Sequence, residues 1–375
     1  MKRVILTAKK NPKTTISIVG GLIVCAVLLA VFAAGFGGGA AYTAYRPMMV
    51  GNEHTGLVPN PVEQEKFIGS LGDFKSLKTG APDLFGADLP KVVRLDMIMR
   101  EASEKSGRGP YKIIRQEIGD CVSHGWARGV ECALAIEYMT GQATDWWPVS
   151  PESVYAGRID TGDASMSDGW YGSAAAKATQ ELRGVLFKKP YESGGNKINL
   201  TVYSGQRAKQ AGNGNWPKWL KPISQKHLVK NVALITSVTE AKVSLDNGYP
   251  IPICTQIGFA ESSPGVVARD KNGMATPSGR WGHCWCAVGY FTLANNDTVF
   301  ITYNNWGEGS TSGPGGPQNI PPGAFGIHER VFAKILAERD SYAVSGPNGF
   351  ERRDIDHDTW ANWSKESEEH FAIAP

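Results

Sequence analysis

The sequence predicts an α+β fold with two lobes, one helical and one an antiparallel sheet, preceded by an N-terminal transmembrane helix. Three stretches lead to this prediction: an uncharged apolar run over residues 16–36, an amphipathic helical pattern that begins at Cys121, and two successive strand patterns between His283 and Asn304. A chain of 375 residues, 42% of them hydrophobic, has enough apolar material for one large or two modest domains.

The N-terminus combines a basic segment with an apolar run. Residues 1–15 contain no acid and five cations, namely Lys2, Arg3, Lys9, Lys10 and Lys13. As a helix, residues 16–36 would cross the hydrocarbon core of a bilayer, which is about 30 Å thick. The positive-inside rule then places the N-terminus in the cytoplasm and the rest of the chain outside it. We expect a single-pass membrane protein; a cleaved signal peptide remains the alternative.

The remaining charge argues against nucleic acid as a partner. The chain carries a net charge of +3, of which residues 1–15 supply +5, so the remainder sums to −2. Phosphate recognition needs clustered cations, and this remainder lacks them. Glycine and proline near its start indicate that residues 37–109 are a linker or N-terminal extension. We expect a catalytic domain over residues 110–340 and a C-terminal extension over residues 341–375.

A candidate nucleophile lies at the start of a predicted helix. Gly119 and Asp120 interrupt the preceding structure, and a helix can begin at or just after Cys121. Its apolar face is formed by residues three or four apart: Val122, Trp126, Val130, Ala133 and Leu134. Unpaired N–H groups and the helix dipole at a first turn favour a thiolate, the nucleophilic form of cysteine. A buried structural thiol is the alternative for this position.

A candidate base and its partner lie on two later strands. The runs HCWCAVGYF and TVFITYN are separated by an Asn-Asn-Asp turn and predict a hairpin. His283 opens the first strand and Asn304 ends the second, so antiparallel pairing would bring the imidazole and the amide together. An amide oxygen that accepts from one ring nitrogen fixes the tautomer and aims the other nitrogen at the thiol.

Taken with their neighbours, these residues resemble the papain-like cysteine peptidases. The matching motifs are Gln116 with Gly119-x-Cys121, His283 with Val288-Gly289-Tyr290, and Asn304-Asn305-Trp306-Gly307, in the chain order Cys, His, Asn. The resemblance implies a papain-like two-subdomain fold with a barrel-like sheet lobe, and peptide hydrolysis by a Cys121–His283–Asn304 triad without a cofactor. It also implies that Gln116 donates to the oxyanion and that Trp306 covers the His–Asn hydrogen bond.

The resemblance extends to stretches between the motifs. The run that begins at Asp168, DGWYGSAAAKATQELRGVLFKKPY, is similar to the glycine-containing loop and helix with which family members bind substrate, which implies substrate contacts from Asp168, Gly169 and Trp306. A capping box at 237–240 predicts a helix, followed by a strand in PIPICTQIGF and a last strand near 323–327. The segments IGDCVSHGWA and Asn-x-Trp-Gly are most similar to uncharacterised papain-like proteins of bacteriophage and bacterial genomes.

Other functions remain open from the sequence. One alternative is a virion-associated or structural phage protein that kept the fold without turnover, and another is a murein peptidase whose substrate is a cell-wall peptide. Cys284 and Cys286 are expected in the core; a zinc site is less favoured because paired Cys-x-x-Cys knuckles are missing, so no metal is expected. We also expect His124 to be a surface residue, because no orienting partner is evident for it.

Overall fold

The computed structural model describes residues 56–164 and 168–362 with their side chains, and residues 49–50, 53–54 and 363–366 by their backbone. All of them belong to one compact unit that spans Pro47–Pro375. The predicted basic segment and transmembrane helix, residues 1–36, lie outside the described residues. None of the helices in the described ranges is long and apolar enough to cross a membrane.

Helices come from both halves of this unit, and the longest begins at the candidate nucleophile. In chain order they are α1 Pro61–Ser70, α2 Leu77–Gly80, α3 Leu95–Lys105, α4 Cys121–Met139, α5 Pro151–Tyr155, α6 Arg158–Thr161, α7 Gly172–Lys177, α8 Gly205–Gly212, α9 Lys221–Ser224, α10 Val238–Asp246, α11 Glu329–Ala337 and α12 His357–Glu366. The capping box predicted at 237–240 is present in part, since the Ser237 hydroxyl accepts from the Glu240 N–H at 3.1 Å.

The strands assemble into one larger sheet and several small ones. In chain order they are β1 Met49–Val50, β2 Glu53–His54, β3 Val92–Arg94, β4 Pro190–Ser193, β5 Asn196–Asn199, β6 Val232–Leu234, β7 Ile251–Phe259, β8 Glu261–Ser263, β9 Val266–Ala268, β10 Pro277–Thr292, β11 Thr298–Tyr303, β12 Thr311–Ser312, β13 Ala324–His328 and β14 Tyr342–Val344. The larger sheet has five strands in the order β13-β11-β10-β3, with β7 also paired to β10. The predicted α+β class is confirmed, but this antiparallel sheet stays open, so a closed barrel is not formed by the described strands.

Strand β10 is the central strand of the larger sheet and pairs with three other strands. Its first part pairs with β7, from Pro277 to Ala287, and its second part pairs with β11 and β3. The predicted hairpin of β10 and β11 is therefore confirmed. The expectation that His283 opens its strand is wrong, because β10 begins at Pro277 and His283 lies within it. Two irregularities between Pro277 and His283 interrupt the regular alternation there, which explains why the sequence pattern did not show the earlier start.

Helix α4 is the centre of the core. The sequence predicted one apolar face, but the structure buries the helix on nearly all sides, including charged residues such as Arg128 and Glu131. Residues of its first half pack in one apolar cluster with Tyr342. Its second half packs in another cluster, which holds the sheet. The start of α4 also meets the sheet, because Cys121 and Cys284 of β10 belong to the same cluster.

Residues that precede the predicted domain start at 110 take part in the same core. Strand β3 pairs with β10, and a side chain at Gly289 would collide with the Val93 carbonyl, so glycine is needed for this close approach. Arg94 and Asp96 form a fully buried ion pair at 2.8 Å, and Asp96 also accepts from the Tyr303 hydroxyl. The bond from the Tyr303 hydroxyl to Asp96 ties this segment to strand β11, which leads to Asn304.

Candidate active site

Cys121 is the first residue of helix α4 and is fully buried. Its Sγ accepts a hydrogen bond from the Gly56 N–H at 3.1 Å. On the other side, Sγ lies 3.9 Å from the carbonyl oxygen of Gly282, the residue that precedes His283. The sulfur therefore sits between the start of a helix and the strand that carries His283.

His283 and Asn304 are joined by a buried hydrogen bond. Nε2 of His283 is 2.8 Å from Oδ1 of Asn304, and the same oxygen accepts from the Asn305 N–H at 2.8 Å. Two donors on one atom identify it as the amide oxygen, so Nε2 carries the proton in the neutral ring. Nδ1 is then the basic nitrogen, and it makes no hydrogen bond within the part of the chain that the structure describes. A base of this kind is ready to take a proton from a thiol.

Three tryptophans surround the imidazole. The ring of Trp306 lies 4.7 Å from that of His283, and Trp285 and Trp281 lie at 5.1 and 6.2 Å between ring centroids. All three are nearly or fully buried, and so is the His283–Asn304 hydrogen bond. A hydrogen bond in such a dry environment is stronger than one exposed to water, so the ring orientation is well held.

A short segment of the N-terminal extension, residues 56–58, covers the sulfur; we call it the strap. The Trp170 N–H donates to the Gly56 carbonyl at 2.7 Å, and the Val58 N–H donates to the Trp170 carbonyl at 2.8 Å. The Leu57 N–H donates to the Gly282 carbonyl at 2.8 Å. The strap is therefore bonded to both sides of the site, and its first N–H group points at the nucleophile.

Glycine is required at the start of the strap. A Cβ atom on Gly56 would lie 1.9 Å from the Gly119 carbonyl oxygen, and one on Gly169 would lie 2.9 Å from the Gly56 carbonyl oxygen. Gly169 also has a φ of +117°, which other residues rarely adopt. The strap fits because small residues allow three backbone segments to approach each other.

Burial keeps the candidate pair neutral in this covered state. Desolvation raises the pKa of the Cys121 thiol well above its usual range, and the nearby Asp120 carboxylate acts in the same direction. Desolvation lowers the pKa of His283 to about 3, although its hydrogen bond to Asn304 opposes this shift. These two shifts favour a resting form in which both the thiol and the imidazole are neutral.

Asp120 and His124 form a buried polar cluster beside the nucleophile. Asp120 accepts from the Tyr203 hydroxyl at 2.9 Å, and His124 Nε2 lies 3.5 Å from the same carboxylate. The His124 ring also contacts the Tyr203 ring at 4.7 Å. The expectation of a surface histidine is therefore wrong, since only 1% of His124 is exposed. The loop that carries Tyr203 covers this face of α4, and local sequence spacing does not reveal it.

The other predicted site residues lie near Asn305 or near the strap. Gln116 is buried; its side-chain amide donates to the Ile118 carbonyl at 3.0 Å and its backbone N–H donates to the Asn305 carbonyl at 2.7 Å. Asp168 and Gly169 immediately precede Trp170, whose backbone binds the strap. Gly169 itself donates to the Tyr155 hydroxyl at 3.0 Å. The loop that was predicted to bind substrate thus lies against the strap, and Trp170 is the residue that bonds to it.

Sequence reasoning missed three residues of this site: Gly56, Trp170 and Asn305. Trp170 could have been found as the next position of the loop that begins at Asp168. Asn305 stands inside the Asn-x-Trp-Gly motif, but its role depends on contacts that only the fold creates. Gly56 lies far from the motifs in a segment read as a linker, and no local signal marks it.

The remaining cysteines are buried in the core. Cys284 of β10 lies opposite Cys254 of β7 in the sheet, and Cys286 is fully buried as well. No disulfide links any of the five cysteines of the described ranges. In the same ranges no group of three or more metal-ligating side chains is arranged to hold a metal ion.

Several solved structures are similar to this chain. Xylellain, a cysteine protease from Xylella fastidiosa, is 14% identical with a TM-score of 0.48, and the match covers 81% of this chain and 98% of that one. The bromelain protease from Ananas comosus, in complex with the E64 inhibitor, is 14% identical with a TM-score of 0.41 over 68% of this chain and 99% of that one. Procathepsin B from Trypanosoma congolense is 12% identical with a TM-score of 0.41 over 71% and 80%.

No protein-family model matches the sequence. No curated protein matches it either. The function proposed below therefore rests on the geometry of the site.

Proposed function

We propose that this protein is a cysteine peptidase that hydrolyses peptide bonds with Cys121 as nucleophile, His283 as base and Asn304 as the residue that orients the base. The observation that carries the proposal is the buried Nε2–Oδ1 hydrogen bond of 2.8 Å, which leaves Nδ1 as the basic nitrogen. The position of the Cys121 sulfur supports the proposal, because Sγ lies at a helix start and contacts the backbone of the residue next to His283.

The reaction follows from these roles. His283 Nδ1 takes the Cys121 proton, and the thiolate attacks the carbonyl carbon of a peptide bond. The Cys121 N–H and the Gln116 amide, once it has turned from the Ile118 carbonyl, would donate to the oxyanion. The imidazolium then protonates the leaving amine, and a thioester remains on Cys121. Water, deprotonated by His283, hydrolyses this thioester and restores the free thiol.

The strap supports a latent form of this enzyme. It occupies the space in front of the sulfur and holds both reacting groups in a dry, neutral state. Displacement of residues 56–58 would admit water and substrate together, which stabilises the thiolate–imidazolium pair. We therefore assign to the strap the role of a built-in cover that must move before turnover.

The test is peptide hydrolysis by the full chain. A Gly56→Ala variant, in which the added Cβ displaces the strap, is expected to release fragments from casein, and Cys121→Ala in the same background is expected to abolish this activity. Cys132→Ala is the matched control, because Cys132 is an equally buried cysteine of helix α4 that is remote from the site. Hydrolysis that persists without the Cys121 thiol would end the proposal.

Location and substrate belong to the same proposal. The basic segment and apolar run at the N-terminus favour a membrane anchor with the peptidase unit outside the cytoplasm, where proteins and wall peptides are both accessible. Release of casein fragments by the Gly56→Ala variant supports a protein substrate, whereas release of peptides only from murein supports a wall peptidase. A Cys121 that reacts with iodoacetamide no faster than free cysteine, in a variant without hydrolysis, would instead favour a structural or virion-associated protein.

A further inference from the structure

Asn305 is a fully buried residue that follows Asn304, two positions after the end of strand β11. Its side-chain amide donates to the Cys121 carbonyl at 3.2 Å and to the Cys284 carbonyl at 2.6 Å. Two carbonyl acceptors identify this end of the side chain as the NH2 group. One short side chain therefore joins the first residue of helix α4 to the residue that follows His283 on β10.

The backbone of Asn305 contacts the other two positions of the site. Its N–H donates to Oδ1 of Asn304, the atom that also accepts from His283, at 2.8 Å. Its carbonyl accepts from the Gln116 N–H at 2.7 Å. Asn305 thus makes hydrogen bonds to Cys121, to the strand of His283, to Asn304 and to Gln116.

Apart from these bonds, the helix and the strand are joined by packing and by the long contact, 3.9 Å, between the Cys121 sulfur and the Gly282 carbonyl. A side chain at Gly125, one turn after Cys121, would lie 2.8 Å from the Cys284 sulfur, so α4 and β10 are in close contact. Packing of this kind sets the distance between the two elements but not their position along each other. Directional hydrogen bonds from a rigid, buried group add that restraint.

On this basis we infer that Asn305 is a positioning residue, which aligns the Cys121 sulfur with His283 by bonding to the backbone of both elements. The inference rests on the proposed function and adds a residue to it. Asn305 does not reach the reacting atoms itself; it acts through the Cys121 and Cys284 carbonyls. An aliphatic side chain of the same size would fill the space but leave both carbonyls without this donor.

The experiment compares Cys121 alkylation by iodoacetamide at about pH 6 and about pH 10, since a thiolate–imidazolium pair reacts at both and an isolated thiol only at the higher pH. All variants are made in the full-length Gly56→Ala chain. Asn305→Leu removes both donors at nearly constant volume. The matched control is Asn247→Leu, because Asn247 is also buried and also donates to a backbone carbonyl, that of Val243 at 2.9 Å, at the end of α10.

We expect Asn305→Leu to lower the rate at about pH 6 by about tenfold, the factor that corresponds to one lost buried hydrogen bond, and to leave the rate at about pH 10 unchanged. The Asn247→Leu control should keep the ratio of the two rates that the parent, the Gly56→Ala chain, shows, even if both variants lose stability. If Asn305→Leu does not fold, Asn305→Ser, which is smaller and retains one donor, should show an intermediate loss.

The outcomes separate the two proposals. A parent that reacts at about pH 6 and an Asn305 variant with the same rate ratio would overturn the positioning role and leave the peptidase intact. A parent that lacks the reaction at about pH 6 and also lacks casein hydrolysis would overturn the proposed function, and the positioning role with it.

Discussion

At the scale of single residues, the surroundings of Cys121 act in opposite directions. The first turn of helix α4 favours a thiolate, because it carries the positive end of the helix dipole. The adjacent Asp120 disfavours it, because its carboxylate is buried and cannot be screened by water. The structure places Tyr203 and His124 against this carboxylate, so its charge is partly compensated by a hydrogen bond and a neighbouring imidazole.

We predict that Asp120→Asn makes Cys121 more reactive. Loss of the negative charge lowers the pKa of the thiol, so the rate of alkylation near neutral pH should rise by about two- to fivefold in the Gly56→Ala background, since Asp120 is a minor cause of the raised pKa. Tyr203→Phe is the control, because it removes the hydrogen bond to Asp120 and keeps the charge. A faster reaction in the Tyr203 variant alone would show that hydrogen bonding, not charge, controls the thiol.

At the scale of elements, the strap determines the state of the site. Three of its backbone groups donate to the Cys121 sulfur, the Gly282 carbonyl and the Trp170 carbonyl. These bonds join the strap to helix α4, to strand β10 and to the loop of Trp170, so all of them are lost when the strap is displaced. The strap also begins at a position that tolerates only glycine, which makes its displacement testable by one substitution.

We predict that Gly56→Ala exposes the nucleophile. The new Cβ would lie 1.9 Å from the Gly119 carbonyl oxygen, so the strap must move, and Cys121 should be alkylated at least about tenfold faster than in the wild type, as is typical when a buried thiol becomes accessible. Gly69→Ala on helix α1 is the matched control, because a Cβ there meets nothing within 4 Å. Equal rates in the two variants would show that the strap does not limit access to the sulfur.

At the scale of the whole molecule, a largely buried acid joins two segments that lie far apart in the sequence. Asp340 precedes strand β14 and accepts from the Gly172 N–H, at the start of helix α7, at 3.1 Å. Burial raises the pKa of Asp340 to about 7 from its ordinary value of 3.8. The folded protein therefore holds a proton on Asp340 over a pH range in which the unfolded chain has lost it.

The raised pKa of Asp340 predicts how the stability of the protein changes with pH. Between about pH 4 and about pH 7 the folded state binds more protons, so the contribution of Asp340 to the free energy of unfolding falls as pH rises, by at most about 1.4 kcal/mol per pH unit. Asp340→Asn should thus be more stable than the wild type at pH 8 by urea unfolding, and this difference should shrink towards pH 4. An exposed change, Asp83→Asn, is the control. A difference between Asp340→Asn and wild type that does not vary with pH would contradict the assignment.

Several features of the fold could be predicted because they depend on short-range periodicity. The helix that begins at Cys121, the hairpin of β10 and β11 and the strand after the capped helix α10 each follow from residues close together in sequence. Spacing within the hairpin also brings His283 near Asn304, since antiparallel strands place the two at one end of the pair.

Other features were decided only by the tertiary structure, because they depend on contacts between distant segments. The burial of His124 requires the Tyr203 loop, and the role of Asn305 requires that α4 and β10 lie side by side. The strap is the clearest case, since Gly56 meets a sulfur 65 residues away. Local patterns indicate which face of an element is apolar. Which segment covers the sulfur depends on how the elements are packed. The sequence by itself therefore determined the candidate chemistry, and the packing of distant segments decided that its nucleophile is covered.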